Sequence, residues 1–269
     1  MVLEQLFKVQ WIERKEHSFF LGFIYSMVGL ISAKFIFPSN VGLMSVAFTS
    51  ILLIPSLAVL LKLEENLEIR EKKLSLKLLI RDHKEIFKVY LFMFLGVFSA
   101  YIFTTLLLSE ETIGKLFATQ LTSAGIHGFA SSNNPLYQLI INNLIIFIVC
   151  FVLSLVYGAG SVLFLTWNAS VWGVAFAFFV RQAANISGKN RVVEFFTSIL
   201  PFMPHMLTEA LSYVSAAIVG GVVSKAVLRE KLFSKKFNHI VTDALILLVV
   251  GLFLVVVAGL IEIKFYGNG

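Results

Sequence analysis

Long apolar stretches separated by short polar connections dominate this sequence of 269 residues. A helix needs about 20 mainly apolar residues to cross the hydrocarbon core of a membrane, because each residue rises only ~1.5 Å. Seven stretches approach that length: 19–37, 41–61, 89–108, 136–157, 161–180, one that begins after Pro201 and Pro204 and ends near 223, and 240–263. The pattern predicts an all-α fold, a polytopic transmembrane helical bundle.

The composition agrees with a membrane protein and excludes an ordinary soluble enzyme. Hydrophobic residues make up 58% of the chain, the mean hydropathy is +0.88, and only 14% of the residues are charged. A soluble domain usually carries about a quarter of its residues as charge. A single cysteine, Cys150, excludes a disulfide framework. The net charge of +6 does not indicate nucleic acid as a partner, because the aromatic residues lie inside apolar runs.

The basic residues predict the orientation instead. Of the 22 Lys and Arg residues, 16 fall in segments that are inside if the N-terminus is cytoplasmic, 5 fall outside, and Lys34 lies near the outer end of the first span. Cytoplasmic loops of membrane proteins are enriched in these residues, so a cytoplasmic N-terminus is favoured. Arg181, Lys189 and Arg191 are the exception, since all three lie in one nominally outer loop. Segments 136–157 and 161–180 could therefore be a re-entrant pair, and the prediction is five to seven spans.

The polar connections divide one membrane domain, 1–269, into smaller parts. Residues 1–18 are predicted to form an amphipathic lead-in, and 62–88 a basic amphipathic linker on the cytoplasmic membrane surface. Docking of a cytoplasmic protein is the alternative role for that linker. Residues 109–135 form the long outer connection, which is too small for an independent catalytic domain but could dock an extracytoplasmic partner.

Polar side chains inside the apolar stretches are the candidate functional residues, because they cost free energy in lipid unless they have partners. His205 and Glu209 are four residues apart, so they share one face of a helix. Asn143 and Glu209 are both roughly 10–12 Å from the predicted outer surface, and Asn168 is about 18 Å from it. We therefore predict one buried cluster of Asn143, Asn168, His205 and Glu209, with Asn142 on an adjacent face.

Three interpretations of this cluster remain open from the sequence. The simplest is hydrogen bonding between helices, and the second is an ion or proton path. The third, a metal site, is weakened because one His and one carboxylate fall short of the three protein ligands common in catalytic zinc sites. We predict no metal, no cofactor and no catalytic residue. For intramembrane proteolysis, the sequence lacks a paired-Asp arrangement, and Gly160-Ser161 with His205 is too weak a pattern to indicate a Ser–His catalytic dyad.

Small residues at helical spacing predict close packing between helices. Ser212, Ala216, Gly220 and Ser224 are each four apart, and Gly221 widens the stripe. The partner helix could belong to the same chain or to a second copy in a homodimer. Gly158, Gly160 and Gly173 similarly allow close approach or a break in a helix.

Several of these residues together resemble the core of the stage II sporulation protein M family over residues 136–224. They are Asn142, Asn143, Gly158, Gly160, Asn168, Gly173, Pro204, His205, Glu209, Gly220 and Gly221. Two positions depart from the family pattern, because Ala169 and Met206 stand where the family usually has glycine. A close backbone approach at those two positions is therefore not expected.

The resemblance implies a multispanning protein that, in spore formers, anchors a complex of extracytoplasmic cell-wall hydrolases without hydrolysing anything itself. Members also occur in organisms that do not sporulate, so the membrane architecture and the polar cluster are more transferable than the sporulation function. We expect a multi-pass scaffold of the cell membrane whose partners are membrane lipid, a second copy of the chain, and an extracytoplasmic or cytoplasmic protein. The alternatives are a transporter or permease-like subunit with a polar path at Glu209 and His205, and, less favoured, an intramembrane enzyme.

Overall fold

The computed structural model describes the backbone of residues 15–68, 76–124 and 135–266, and the side chains of 17–57, 84–124 and 140–264. Within these residues the fold is all-α and contains no strand. The helices are α1 (Lys15–Ile36), α2 (Val41–Glu68), α3 (Leu76–Leu107), α4 (Glu110–Leu116), α5 (Ala118–Ser123), α6 (Pro135–Tyr157), α7 (Val162–Ser187), α8 (Arg191–Arg229) and α9 (Lys235–Tyr266).

Six of these helices are long and apolar enough to cross a membrane, namely α1, α3, α6, α7, α8 and α9. Helix α2 adds a shorter apolar stretch, Val41–Leu57. The prediction of a polytopic helical bundle is confirmed. The candidate spans in α6 and α7 contain 18 and 26 residues, so each has about the length needed for a full crossing rather than for half of a re-entrant pair.

Helices α1 and α3 contact each other through a pair of glycines. A Cβ atom at Gly22 would meet the carbonyl oxygen of Met93, and one at Gly96 would meet the carbonyl oxygen of Phe19. Neither helix could approach the other this closely with a larger residue at these positions, which is the usual role of glycine between membrane helices. Helix α7 packs against the other face of α3. A Cβ atom at Gly173 of α7 would lie 2.7 Å from the Phe98 carbonyl oxygen of α3.

Helix α8 differs from the prediction at its start. It begins at Arg191, where the side chain of Asn190 accepts a hydrogen bond from the Val192 amide at 2.8 Å, and it contains both Pro201 and Pro204. The helix therefore begins earlier than predicted, before both prolines, although its buried part does begin at His205. A proline removes one helical N–H but does not end a membrane helix whose flanking residues are packed. Here Phe202 stacks on Phe176 with ring centroids 5.1 Å apart.

The connections are short where the structure describes them. Helix α2 continues to Glu68 and α3 begins at Leu76, so the described parts of the predicted 62–88 linker are continuations of α2 and α3. Residues 69–75, and 1–14 of the predicted lead-in, lie outside the described residues. Ser109 caps α4 by accepting a hydrogen bond from the Thr112 amide at 3.3 Å. Gly158 and Gly188, with φ of +67° and +69°, form the turns that follow α6 and α7.

Candidate functional site

His205 and Glu209 form the centre of a buried polar cluster on α8. The Nε2 atom of His205 lies 3.0 Å from Oε2 of Glu209, and the two side chains are only 9% and 5% exposed. The contact exists because residues four apart on a helix project from one face. Because both side chains are buried, either of them would destabilise the folded protein if it had no polar partner.

Tyr213 extends this cluster by one further turn and links it to α6. Its hydroxyl group lies 2.5 Å from Glu209 Oε1 and 3.1 Å from Asn143 Oδ1. A tyrosine has one hydroxyl hydrogen and can donate it to only one of these acceptors at a time. When Tyr213 donates to Glu209, the Asn143 amide completes the chain by turning so that its Nδ2–H donates to the tyrosine oxygen.

Helix α9 contributes a second carboxylate. Glu262 Oε2 lies 3.8 Å from His205 Nε2, and the carbonyl oxygen of Ala258 lies 3.4 Å from His205 Nδ1. A carbonyl oxygen can only accept, so this contact places a proton on Nδ1. Nε2 then faces Glu209 either as a second donor to the ionised carboxylate or as an acceptor from its protonated form. The arrangement can thus hold one proton between Glu209 and His205.

Aromatic side chains from two elements close around the imidazole. Trp172 of α7 and Phe202 of α8 place their rings 6.1 and 6.4 Å from that of His205. Trp172 in turn contacts Phe94 of α3 at 5.5 Å. The apolar rings exclude water from one side of the cluster and strengthen the interactions inside it.

Asn168, predicted as a member of the cluster, and Asn142, predicted on an adjacent face, make no hydrogen bond to it among the described residues. Asn168 is buried, but its Nδ2 donates to the Phe164 carbonyl of its own helix at 2.8 Å, and no hydrogen bond to the cluster occurs within the described part of the chain. Asn142 is exposed on α6, about 100° around the helix from Asn143, as expected for an adjacent face. The observed hydrogen-bonded set is therefore Asn143, His205, Glu209 and Tyr213, and Glu262 joins it through its ion-pair contact with His205. Tyr213 and Glu262 are the two members from outside the prediction.

The predicted small-residue stripe lies inside the molecule, and its members Ser212, Ala216, Gly220, Gly221 and Ser224 are all buried. A Cβ at Gly220 would meet the Phe151 carbonyl oxygen and would lie 2.7 Å from the Ser154 Cβ. The partner at that position is α6 of the same chain. Ser212 also donates from Oγ to the Glu209 carbonyl at 2.7 Å.

The sequence contains features that point to Tyr213 and Glu262 as further members of the cluster. Tyr213 is four residues after Glu209, on the same helix face. Glu262 lies within the predicted last span, 240–263, but was left out of the predicted cluster. Because α9 runs antiparallel to α8, the C-terminal end of α9 lies beside the N-terminal half of α8, where His205 is.

Hydrogen bonds and one ion-pair contact join α6, α8 and α9 at this site. Among the residues that the structure describes, no group of three His, Cys, Asp or Glu is arranged to hold a metal ion. Glu262 is the most accessible member, with a side chain 23% exposed.

A bundle of apolar helices with a buried polar cluster defines the class: this is an integral membrane protein with an all-α, polytopic fold. Its sequence matches the family described as stage II sporulation protein M over residues 89–263. The chain belongs to that family. The match extends beyond the resemblance at 136–224 and takes in part of α3, most of α9 and the whole cluster. Searches of curated proteins and of solved structures returned no match.

Proposed function

We propose that this protein is a membrane scaffold that recruits and localises partner proteins at its predicted extracytoplasmic surface. Family membership supports this role, because the resemblance implies an anchor rather than an enzyme. The observation that carries the proposal is the shape and chemistry of the segment joining α7 and α8. We call residues 182–200 the outer hairpin.

The outer hairpin is longer than membrane crossing requires. Helix α8 has 39 residues, which is about 58 Å, against a hydrocarbon core of about 30 Å. The part from His205 onward is the buried part, and it is long enough to cross by itself. The residues before it therefore extend towards or beyond the predicted outer membrane surface.

Apolar side chains on the outer hairpin are exposed rather than packed. They are Ile186, Val192, Val193, Phe196 and Leu200, each more than half exposed. Lys189 and Arg191 are exposed among them. A contiguous apolar surface edged by charge is typical of a protein interaction site when it lies outside the lipid.

Two polar side chains, Arg181 and Asn185, hold the start of the outer hairpin in place. Arg181 donates from Nη1 to the carbonyl oxygens of Thr105, at 3.1 Å, and of Leu108. Asn185 donates to Glu110 Oε1 of α4 at 3.5 Å. The hairpin is thereby tied to the outer ends of α3 and α4, which favours a rigid presentation of its apolar face to a partner.

The polar cluster supports a structural role more than a transport path. The side chains of His205 and Glu209 are almost fully buried and use their polar atoms on one another and on Tyr213. A conducting site needs access from both sides, whereas this cluster connects α6, α8 and α9 and stabilises the helices that support the outer hairpin.

Site-specific photo-crosslinking in intact cells tests the proposal. A photoreactive residue replaces Phe196, and a matched probe replaces Val28, a lipid-exposed residue of α1. We expect one discrete protein adduct at position 196 that is absent at 28, and loss of that partner's localisation in Phe196→Ser with folded yield unchanged. Lipid adducts alone at position 196, or unchanged localisation in Phe196→Ser, would contradict the proposal.

A further inference from the structure

Helix α6 presents an unusual exposed face. Only 22% of its candidate span is buried inside the protein, the lowest value among the six candidate spans. Asn143, Phe147, Cys150 and Ser154 form its buried face. The opposite face is apolar except for one carboxamide, that of Asn142.

Asn142 begins a regular stripe along that face. Ile145, Val149, Val152 and Val156 follow it at alternating steps of three and four residues. Of these, Ile145, Val152 and Val156 are 54%, 45% and 61% exposed. This spacing is the a/d repeat by which two helices pack along a seam, and the β-branched residues in it have few rotamers to lose on contact.

The depth of Asn142 makes its exposure costly. It lies seven residues after Pro135, the first residue of α6, or about 10 Å along the helix axis. With 23 residues, about 34 Å, α6 exceeds the hydrocarbon thickness by little, so Asn142 lies inside the apolar layer. A carboxamide there lacks water and is stabilised by hydrogen bonding to another helix.

We propose that a second copy of this chain covers the stripe, forming a homodimer about a twofold axis normal to the membrane. Such an axis places the two α6 helices side by side and parallel, with each residue of the stripe at the same depth as its equivalent in the other copy. Asn142 therefore faces Asn142 of the second copy, and the two amides can donate to each other reciprocally. A single polar residue in an otherwise apolar a/d seam also sets the register of a parallel pair.

The small-residue stripe of α8 does not offer this interface. Gly220 is in close contact with α6 of the same chain, and the other members of that stripe are buried. The dimer seam is instead the outward face of α6, so one helix joins the polar cluster on one side and the second copy on the other. This inference goes beyond the scaffold role and does not depend on it.

Cysteine crosslinking of the full-length protein in liposomes locates the seam. Cys150→Ala removes the native thiol, and Ile145→Cys or Val152→Cys then places one thiol on the stripe. Val28→Cys in α1 and Val249→Cys in α9 are controls, since both residues are exposed and lie within other spans. We expect the two stripe variants to form disulfide-linked dimers at least severalfold more than the controls. Equal crosslinking at all four positions would overturn the proposal.

Asn142→Leu tests the amide contact, with dimerisation measured by single-molecule photobleaching in liposomes. The dissociation constant of the dimer should rise about tenfold, because an interhelical amide contact in a membrane has about that effect. Folded yield should not fall, since the side chain is exposed, and Asn142→Gln should restore most of the dimer. A wild-type protein that stays monomeric at high protein-to-lipid ratio, or an Asn142→Leu variant that dimerises as the wild type does, would overturn the proposal.

Discussion

Arg181 of α7 donates a hydrogen bond to the carbonyl oxygen of Thr105 in α3, at 3.1 Å, and the same nitrogen contacts the Leu108 carbonyl. Thr105 belongs to the last turn of α3 and Leu108 directly follows the helix, so both carbonyls lie at the negative end of the helix dipole, where carbonyl groups lack helical partners. Arg181 is buried in this role, with only 5% of the residue exposed. Arg181 is therefore used inside the protein, and its position in a predicted outer segment does not contradict the orientation.

Replacing Arg181 by Met should destabilise the protein. The change leaves the carbonyls of Thr105 and Leu108 without their donor, which we expect to cost about 1–3 kcal/mol of unfolding free energy. Thermal unfolding of the purified protein in detergent measures the loss. Lys189→Met is the matched control, because Lys189 is exposed on the outer hairpin. Equal midpoints for the two variants would show that the Arg181 contacts contribute no stability.

Glu209→Gln should mainly reduce the yield of folded protein. The substitution keeps the shape of the side chain but gives His205 and Tyr213 an amide in place of a carboxylate, and it weakens two charge-assisted hydrogen bonds. We expect lower expression in the membrane and a lower unfolding midpoint, both measured by fluorescence-detected size exclusion.

Glu111→Gln is the control for that experiment, because Glu111 is on α4 with its side chain 79% exposed. It should behave as the wild type does. If Glu209→Gln instead keeps normal yield and stability but abolishes a flux measured in liposomes, the cluster is a transport site and its structural interpretation is wrong.

Gly220→Ala should disrupt the contact between α8 and α6. The new methyl group would meet the Phe151 carbonyl oxygen and the Ser154 Cβ, and neither can move without shifting a helix. Overpacking of this kind costs about 1–3 kcal/mol. Gly114→Ala in α4 is the comparison, since a Cβ there has nothing within 4 Å. A drop in unfolding midpoint confined to Gly220→Ala is expected; similar midpoints would mean that the helices can separate without penalty.

The predicted orientation has its own test in sealed membrane vesicles. In a Cys150→Ala background, Lys115→Cys lies on α4 and Lys231→Cys lies between α8 and α9, and both side chains are exposed. A membrane-impermeant thiol reagent added to right-side-out vesicles should label position 115 and not 231. The reverse pattern would place the outer hairpin in the cytoplasm and would remove the basis for an extracytoplasmic partner.

The apolar pattern predicted the spans well, because helix length in a membrane is set by bilayer thickness. The polar cluster was predicted only in part. His205 and Glu209 share one helix, so spacing was enough to pair them, and Asn143 followed from its depth. Depth does not give the partner of a side chain, and the Asn168 amide donates to its own helix rather than to the cluster. Glu262 lies on α9, so its contact with His205 depends on how α9 packs against α8. Residue spacing along one helix does not predict that packing.

The paired glycines between α1 and α3 have a consequence for the order of assembly. The family match begins at residue 89, inside α3, so α1 and α2 precede the family region in the chain and are synthesised first. Yet the surface against which α1 packs, centred on Gly96, does not exist until α3 has entered the bilayer. Helices α1 and α2 must therefore enter the bilayer before α3 is present. Packing of α1 against α3 is then the step that joins them to the rest of the bundle.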